Sequence, residues 1–337
     1  MPDAPPHRSL SPHPSPSPRR VAVMGATGTV GRATVRALVR AGHEVVRLVR
    51  PGRAAEDDGR TLAVPCDVSD PRAFGRSFAA GGIGRGDALV SCLASRTGAP
   101  DDAWAIDHRA HSSALAAARD AGVGHMVLVS AICVQRPRLA FQHAKLAFER
   151  ELVASGMRHT IVRPTALMKS LSGQVGRVRA GRPYLLFGDG RLTATRPIAD
   201  DDLGDFVAAC LSDPERWNRT LPIGGPGPAL TPLEMGTMLH ELAGRPPRFR
   251  RVPPALFVAA AAAIDVPGRM APRLAAAAEF ARIAHYYATQ SMLVLDPSTG
   301  RYDAGATPST GIVTLRDHYA ALLARTACDE RGEHAMF

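Results

Sequence analysis

Residues 20–43 read RVAVMGATGTVGRATVRALVRAGH. VAVMGA (21–26) is a short apolar run, TGTVG (27–31) is glycine-rich, and beyond it Val30, Ala33, Thr34, Ala37 and Leu38 recur at helical spacing. The order is strand, turn, helix. Gly25, Gly28 and Gly31 form a GxxGxxG, spaced differently from the GxGxxG dinucleotide fingerprint but suited to the same physical work. The first glycine permits a sharp turn and the second lets backbone amides approach a pyrophosphate. The third lets helix pack closely on strand, at a helix N-terminus that attracts anions. Thr27 and Val30 lie in the same turn and are expected to touch the dinucleotide with it.

The alternation continues outward from this unit. EVVRLVR (44–50), TLAVPCDVSD (61–70), GDALVSCLASR (86–96), HMVLVSA (125–131) and RHTIVRPT (158–165) read as strands two to six. AWAIDHRAHSSALAAARDAG (103–122) and QHAKLAFERELVASG (142–156) read as helices. Parallel strands need covering crossovers, so the pattern predicts an α/β fold, a Rossmann-type doubly wound parallel sheet. Beyond Thr165 the pieces shorten, with LPIGG (221–225), TPLEMGTMLHELAGR (231–245) and Ala-rich helices between Pro254 and Gln290. They predict a smaller carboxy-terminal substrate lobe laid over the ends of the sheet. The organisation read from the chain is a disordered Pro/Ser-rich leader (1–19) and a nucleotide-binding core (20–165). A substrate lobe with late elements returning to the core (166–325) and a flexible tail (326–337) complete it.

The 337 residues are 45% hydrophobic and 21% charged, which excludes a collagen, a coiled coil and a wholly disordered chain. The formal charge of +10 raises nucleic acid as a partner class. Of the 41 basic residues only Lys145 and Lys169 are lysines; the arginines are scattered, with no aromatic residues interleaved to stack bases, so the reading is no nucleic acid. The two lysines stand out because Lys can give up its proton and Arg cannot. Cysteines at 66, 92, 133, 210 and 328 form no CxxC and no metal-like cluster with His, which points to free thiols in a reducing, cytoplasmic compartment and to no metal site. The opening MPDAPPHRSLSPHPSPSPRR lacks the apolar run of a signal peptide. The longest apolar stretch, ALFVAAAAAI from Ala255 to Ile264, is about half a bilayer span. It reads as a helix buried in the core, with a place against a membrane surface or an apolar ligand as the alternatives.

Strand two ends without the acidic residue that would bind a ribose 2′-hydroxyl. Arg50 and Arg53 stand there instead, where a cation accepts a 2′-phosphate, so the cofactor expected is NADPH. Asp67 and Val68 after strand three are similar to the pair that flanks the adenine in short-chain dehydrogenases, and Leu93, Ala94 and Ser95 after strand four are expected along the nicotinamide ribose. Pro164 and Thr165, closing strand six, complete the expected cofactor contacts.

Ser130 follows strand five, and Phe141-Gln142-His143-Ala144-Lys145 opens the next helix. Short-chain dehydrogenases place a serine and a YxxxK at these points, the Tyr protonating a carbonyl oxygen while the Lys holds the ribose. Phe141 stands in the Tyr position and has no proton to give, so carbonyl reduction is disfavoured while Lys145 keeps the ribose role. The strings VLVSAICVQRPRLAFQHAKLAFE (127–149), IVRPTALMKSLSGQV (161–175), LLFGDGRLTATRPI (185–198) and YYATQSMLVLDPSTGRYDAGATPS (286–309) resemble the 3,8-divinyl chlorophyllide 8-vinyl reductases. These are an NmrA-like branch of the short-chain dehydrogenases, and the resemblance runs from about Arg20 to Leu323.

The resemblance implies NADPH-dependent reduction of an 8-vinyl group to ethyl on a magnesium tetrapyrrole, divinyl chlorophyllide or protochlorophyllide, in (bacterio)chlorophyll biosynthesis. Such a reaction develops no carbonyl oxyanion, but a proton must still reach carbon. Lys145, Ser130 and Lys169 are the candidate catalytic residues, with His143 or an ordered water behind them. A flat, mostly apolar macrocycle bearing a carboxylate calls for an apolar slot edged by cations. Phe141, Met168, Leu171, Phe187, Tyr286 and Tyr287 are the candidate walls, Arg163 or Lys169 would meet the carboxylate, and His285 is a candidate for the magnesium. Two rival readings stay open: a non-catalytic NADP-sensing regulatory or assembly protein, which Phe141 favours, and an isoflavone-reductase-like reductase of a smaller substrate.

Overall fold

The computed structural model describes residues 19–52, 59–268 and 272–324. All of the leader but Arg19, the cation Arg53 and the tail lie outside the described residues. β1 (Arg20–Met24) is a central strand whose VAVM segment is buried on both faces, as a parallel sheet covered on both sides requires. After it come α1 (Thr29–Arg40), β2 (Glu44–Val49), β3 (Thr61–Pro65), α2 (Ala73–Gly81) and β4 (Ala88–Ser91). α3 (Pro100–Ala103) runs through a π-helical segment, Trp104–Ala110, into α4 (His111–Asp120). β5 (His125–Val129), α5 (Ala140–Ala154) and β6 (Arg158–Pro164) complete the first half.

The second half contains α6 (Val175–Arg179), β7 (Tyr184–Phe187), α7 (Asp200–Ala209), β8 (Arg219–Ile223), α8 (Pro232–Leu242) and β9 (Phe249–Val252). α9 (Ala255–Gly268), α10 (Pro272–Thr289), a small β10–β11 ladder (Val294–Leu295, Tyr302–Asp303) and α11 (Leu315–Leu323) follow. Seven strands pair in parallel in the order β3-β2-β1-β4-β5-β6-β8. The chain order reverses between β1 and β4, and the crevice beyond the carboxyl ends of those strands is where a doubly wound sheet binds its ligand.

All six strands read from the sequence form, and three features differ from the reading. α2 arises from AFGRSFAAG, whose internal Gly75 weakens any helical signal although Phe74 and Phe78 are fully buried by it. The single helix expected over 103–122 is α3, the π-helical segment and α4 in succession. β8 adds a seventh strand from RTLPI, beyond the 165 boundary.

Each face of the sheet carries its own core. Met24, Phe74, Phe78, Leu115, Phe148 and Leu152 fill one under α2, α4 and α5. Val21, Val23, Leu38, Val90, Leu203 and Val207 fill the other under α1 and α7. α7 approaches α1 closely: a Cβ on Gly204 would stand 2.7 Å from the backbone carbonyl carbon of Ala33. A third cluster, around Tyr184, Leu186, Leu239 and Tyr319, holds the lobe built on the β7–β9 pair. Met168 and the half-buried Leu171, expected as walls of a substrate slot, belong to this lobe core. The stretch from Ala255 to Ile264 is likewise not the buried helix expected of it. α9 rests on α10, and Leu256 and Val258 are 57% and 50% exposed.

Candidate active site

The crevice begins where β1 gives way to α1. Gly25 takes φ +70, and a Cβ there would stand 2.7 Å from the carbonyl carbon of Cys92 just past β4, so the chain passes that point only as glycine. A Cβ on Gly31 would stand 2.1 Å from the Gly25 carbonyl oxygen. The exposed Gly28 caps α1 with no side-chain bond, and the first turn of α1 contains no acidic residue. The first N–H groups of the helix are thus left to a phosphate, and the residues present fit a dinucleotide. Thr27 is exposed and Val30 half-buried in this turn.

Two cations gather at the same helix end. Arg32 Nη1 donates to the Thr27 carbonyl at 2.9 Å, and Lys169 Nζ donates to the Thr29 hydroxyl. Asp200, opening α7, lies nearby with its Oδ1 buried and without a hydrogen-bond partner among the described residues; burial raises its carboxyl pKa while Lys169 opposes the rise. Burial lowers the Lys169 ammonium pKa, with Asp200 opposing. Lys169, expected among the acids, therefore sits at the glycine-rich turn. Arg50 is exposed at the end of β2 and helps hold the Asp67 carboxyl below its usual range. The larger cause is Ser69, whose hydroxyl and N–H donate to Asp67 at 2.7 and 3.0 Å. Val68 is half-buried against the core.

Past β4, Leu93 is half-buried, Ala94 is exposed and Ser95 turns inward. The Ser95 hydroxyl donates to Asp107 Oδ2 at 2.6 Å rather than being offered to a ribose. Asp107 Oδ1 accepts from Lys145 Nζ at 2.9 Å, with the two side chains 0% and 10% exposed. Asp107 lies in the π-helical segment, a winding that recurs at functional sites. Behind it, the Ile106 carbonyl can only accept, so His111 Nδ1 carries a proton and donates to it at 2.7 Å, and Nε2 accepts from the Ser91 hydroxyl at 2.8 Å. Burial, with Lys145 second, pushes the His111 pKa down to about 4.

A second buried ion pair lies four residues along α5. Ser130 donates to Glu149 Oε1 at 2.5 Å, Arg163 Nε donates to the same oxygen at 3.2 Å, and Arg163 Nη2 bonds Oε2. Arg163, expected at a substrate carboxylate, is paired with Glu149. Pro164 and Thr165 are buried rather than open, the Thr165 hydroxyl donating to the Arg196 carbonyl at 2.5 Å and its N–H to Ile223 at 2.9 Å.

Phe141, one turn before Lys145, joins Ile132, Ile283, Tyr286 and Met292 in an apolar cluster between α5 and α10, with Tyr287 half-buried against it. The Tyr286 hydroxyl donates to the Cys133 carbonyl at 2.7 Å. Phe187 belongs elsewhere, against Phe257 of α9 with ring centroids 5.1 Å apart. His143 faces solvent, His285 is half-buried, and among the described residues no group of three or more His, Cys, Asp or Glu could hold a metal.

A family profile described as NAD(P)H-binding matches residues 25–214. The chain is 46% identical to the chloroplastic divinyl chlorophyllide a 8-vinyl-reductase of Oryza sativa subsp. indica, over 99% of this chain and 85% of that protein. It is 43% identical to the protein of the same name from Arabidopsis thaliana, over 95% of this chain and 80% of that one. The chain belongs to the divinyl chlorophyllide a 8-vinyl-reductase family. The NADPH complex of leucoanthocyanidin reductase from Vitis vinifera superposes with a TM-score of 0.66 at 14% identity, covering 90% of this chain and 99% of that one. The NADPH complex of quinone oxidoreductase QOR2 from Escherichia coli gives 0.63 at 18%, covering 90% and 99%. At such identities the likeness establishes the fold alone.

For a member of this reductase family, the sequence reading lacked Arg32, Asp107, Glu149 and Asp200. A signal for Asp107 existed, since a buried Lys needs a carboxylate and Asp107 is the one acid in the sequence between Asp102 and Asp120. The histidines yield a first expected result. His111 takes up its proton near pH 6.5 when unfolded and only near pH 4 when folded. His125 on β5, pushed down to about 3 chiefly by burial, behaves alike. Between those values the unfolded state binds more protons, so stability falls as pH falls from 6.5 toward 4, by about 3 kcal/mol for His111 alone. Thermal melts across that range should record a steadily dropping Tm. A flat Tm would mean that the two rings are solvated.

Proposed function

We propose that this chain reduces the 8-vinyl group of divinyl chlorophyllide or protochlorophyllide to ethyl, with NADPH as the reductant. What carries the reading is the 43–46% identity to the 8-vinyl-reductases, sustained along nearly the whole chain. When bound, the reduced nicotinamide supplies hydride; the rest falls to the chain. The vinyl group gains one hydride and one proton, and the transient charge spreads into the macrocycle instead of settling on a carbonyl oxygen. An acidic hydroxyl at position 141 is therefore not needed, and Phe141 serves with Ile283, Tyr286 and Tyr287 as an apolar wall that excludes water and packs on the ring.

Lys145 orients the nicotinamide ribose. Its ammonium has two N–H donors beyond the one given to Asp107, whereas the Ser130 proton is directed into Glu149, so Lys145 is also our choice for the proton that reaches carbon. Ser130 then acts by holding Glu149 and Arg163 in register. Gly25, Thr27, Gly28, Val30 and Gly31 cradle the pyrophosphate, with Lys169 and Arg32 at its charge, and Leu93 and Ala94 line the ribose by their backbone. Arg50 and Arg53 take the 2′-phosphate. The compartment in this reading is cytoplasmic and reducing, in keeping with four free cysteines among the described residues.

Mixing the protein with divinyl chlorophyllide and NADPH should shift the blue absorption band of the pigment. No shift, with cofactor binding intact, would support the NADP-sensing reading instead. NADPH should bind at least tenfold tighter than NADH in a fluorescence titration, about 1.4 kcal/mol, a modest return for charge-assisted phosphate contacts. Equal affinities would remove Arg50 and Arg53 from the site. Phe141→Tyr should leave turnover unchanged, and a clear rise would show that an acid is wanted there.

A further inference from the structure

From Ala255 to Ile264 the chain has no polar side chain, yet Ala261 is the one residue of that stretch that is buried. Leu256 and Val258 stand open on α9, and Phe280 on α10 is 51% exposed. A helix that is apolar all round is ordinarily covered, and its exposure to water is costly. Immediately before it, β9 and its approach carry Arg245, Arg248, Arg250 and Arg251, all exposed. Arg245 and Arg248 reach back to the Arg179 and Gly181 carbonyls at 3.0 and 3.5 Å, fixing this basic segment to the lobe. No acidic residue occurs between Glu241 and Asp265. Pro253 and Pro254 alone separate the arginines from the helix.

An apolar helix edged by cations matches one kind of surface, in which acyl chains lie beneath anionic headgroups. We infer that α9 lies in the face of an anionic lipid bilayer, with Leu256 and Val258 among the acyl chains and the four arginines at the headgroups. The helix rests in the surface and does not cross it, since no described helix is long and apolar enough to span. A second copy of the chain is a poorer partner, because a two-fold contact over this face would set arginines against arginines. The wall that contains Phe141 takes Ile283, Tyr286 and Tyr287 from α10 and no residue from α9, so the inference stands apart from the proposed reaction.

The experiment is flotation of the full chain with phosphatidylcholine vesicles, with and without phosphatidylglycerol, in the absence of pigment. Binding to the anionic vesicles that high salt releases is expected, with little binding to the neutral ones. Arg250→Gln with Arg251→Gln should weaken binding roughly thirtyfold and flatten the salt dependence. Leu256→Asp with Val258→Asp should weaken it at least about tenfold. Both pairs should bind NADPH as the parent does, which shows that the body is folded. Failure of the parent to float with anionic vesicles, or equal flotation of both variant pairs, overturns the inference. A concentration-dependent dimer that Leu256→Asp with Val258→Asp abolishes, without any flotation, would give the face to a second copy and overturn it as well.

Discussion

Lys145→Met is expected to lower turnover on the order of a hundredfold while the protein stays folded and still binds cofactor. The methionine keeps much of the stem but removes the ammonium paired with Asp107 that in the proposed reaction also holds the ribose, and small displacements of a hydride donor are costly to rate. Lys145→Arg separates the two roles given to the residue. It keeps the charge, changes its shape and cannot release a proton. If Lys145 only orients the ribose, the Arg variant should recover part of the rate. If it also delivers the proton, Arg should fail nearly as badly as Met, and the pH profile of turnover should change with it. Steady-state reduction of divinyl chlorophyllide, followed by the blue band, measures all three proteins. Parental rates in both variants would return Lys145 to a structural role.

Asp107→Asn is the second large effect, and it falls on stability first. The amide keeps the shape and can still accept from Ser95, but it leaves the Lys145 ammonium buried without a counter-charge, which costs about 3–5 kcal/mol. Turnover should fall as well, because an unanchored Lys145 no longer holds one position. A further readout separates this from a general loss of packing. In the double variant with Lys145→Met no orphan ammonium remains, so the combined loss of stability should be well below the sum of the single losses. Denaturant titrations of the four proteins decide it, and strict additivity would mean that the two side chains do not form a coupled pair in solution.

Much of this architecture was legible in the chain, for physical reasons that also explain the gaps. β1, β4 and β5 are continuous apolar runs because both faces of the sheet are covered, and the GxxGxxG is required by the backbone contacts at Gly25 and Gly31. α2 and β8 were not legible, since a helix built on Gly and Ala and an edge strand containing a proline have little periodic signal of their own. Lys145 was legible from its place four residues after Phe141. Its partner was not, because the π-helical winding changes which residues of 104–110 face inward, and a 3.6-residue period misassigns them. The partner of Arg163 was equally hidden: Glu149, one turn beyond Lys145 on α5, pairs with it across the fold, and no local spacing links the two. The apolar run of α9 pointed to the core because hydrophobicity reports the wish to be covered and not what does the covering.

β8 has a consequence for how the chain is made. It closes the outer edge of β6, yet it begins at Arg219, some fifty-five residues after β6 ends at Pro164. As the ribosome releases the nascent polypeptide, β6 presents a row of unpaired N–H and C=O groups throughout that interval, and the flank of α1 later covered by α7 stays bare for much of it. A fragment ending at Thr165, where the motif pattern would place the cut, keeps both faults permanently and should self-associate. Soluble, monomeric behaviour of that fragment would mean that the exposed edge and the bare flank of α1 are tolerated. In the full chain the sheet is finished only after α6, β7 and α7 have been translated, ahead of α8, β9 and the rest of the lobe.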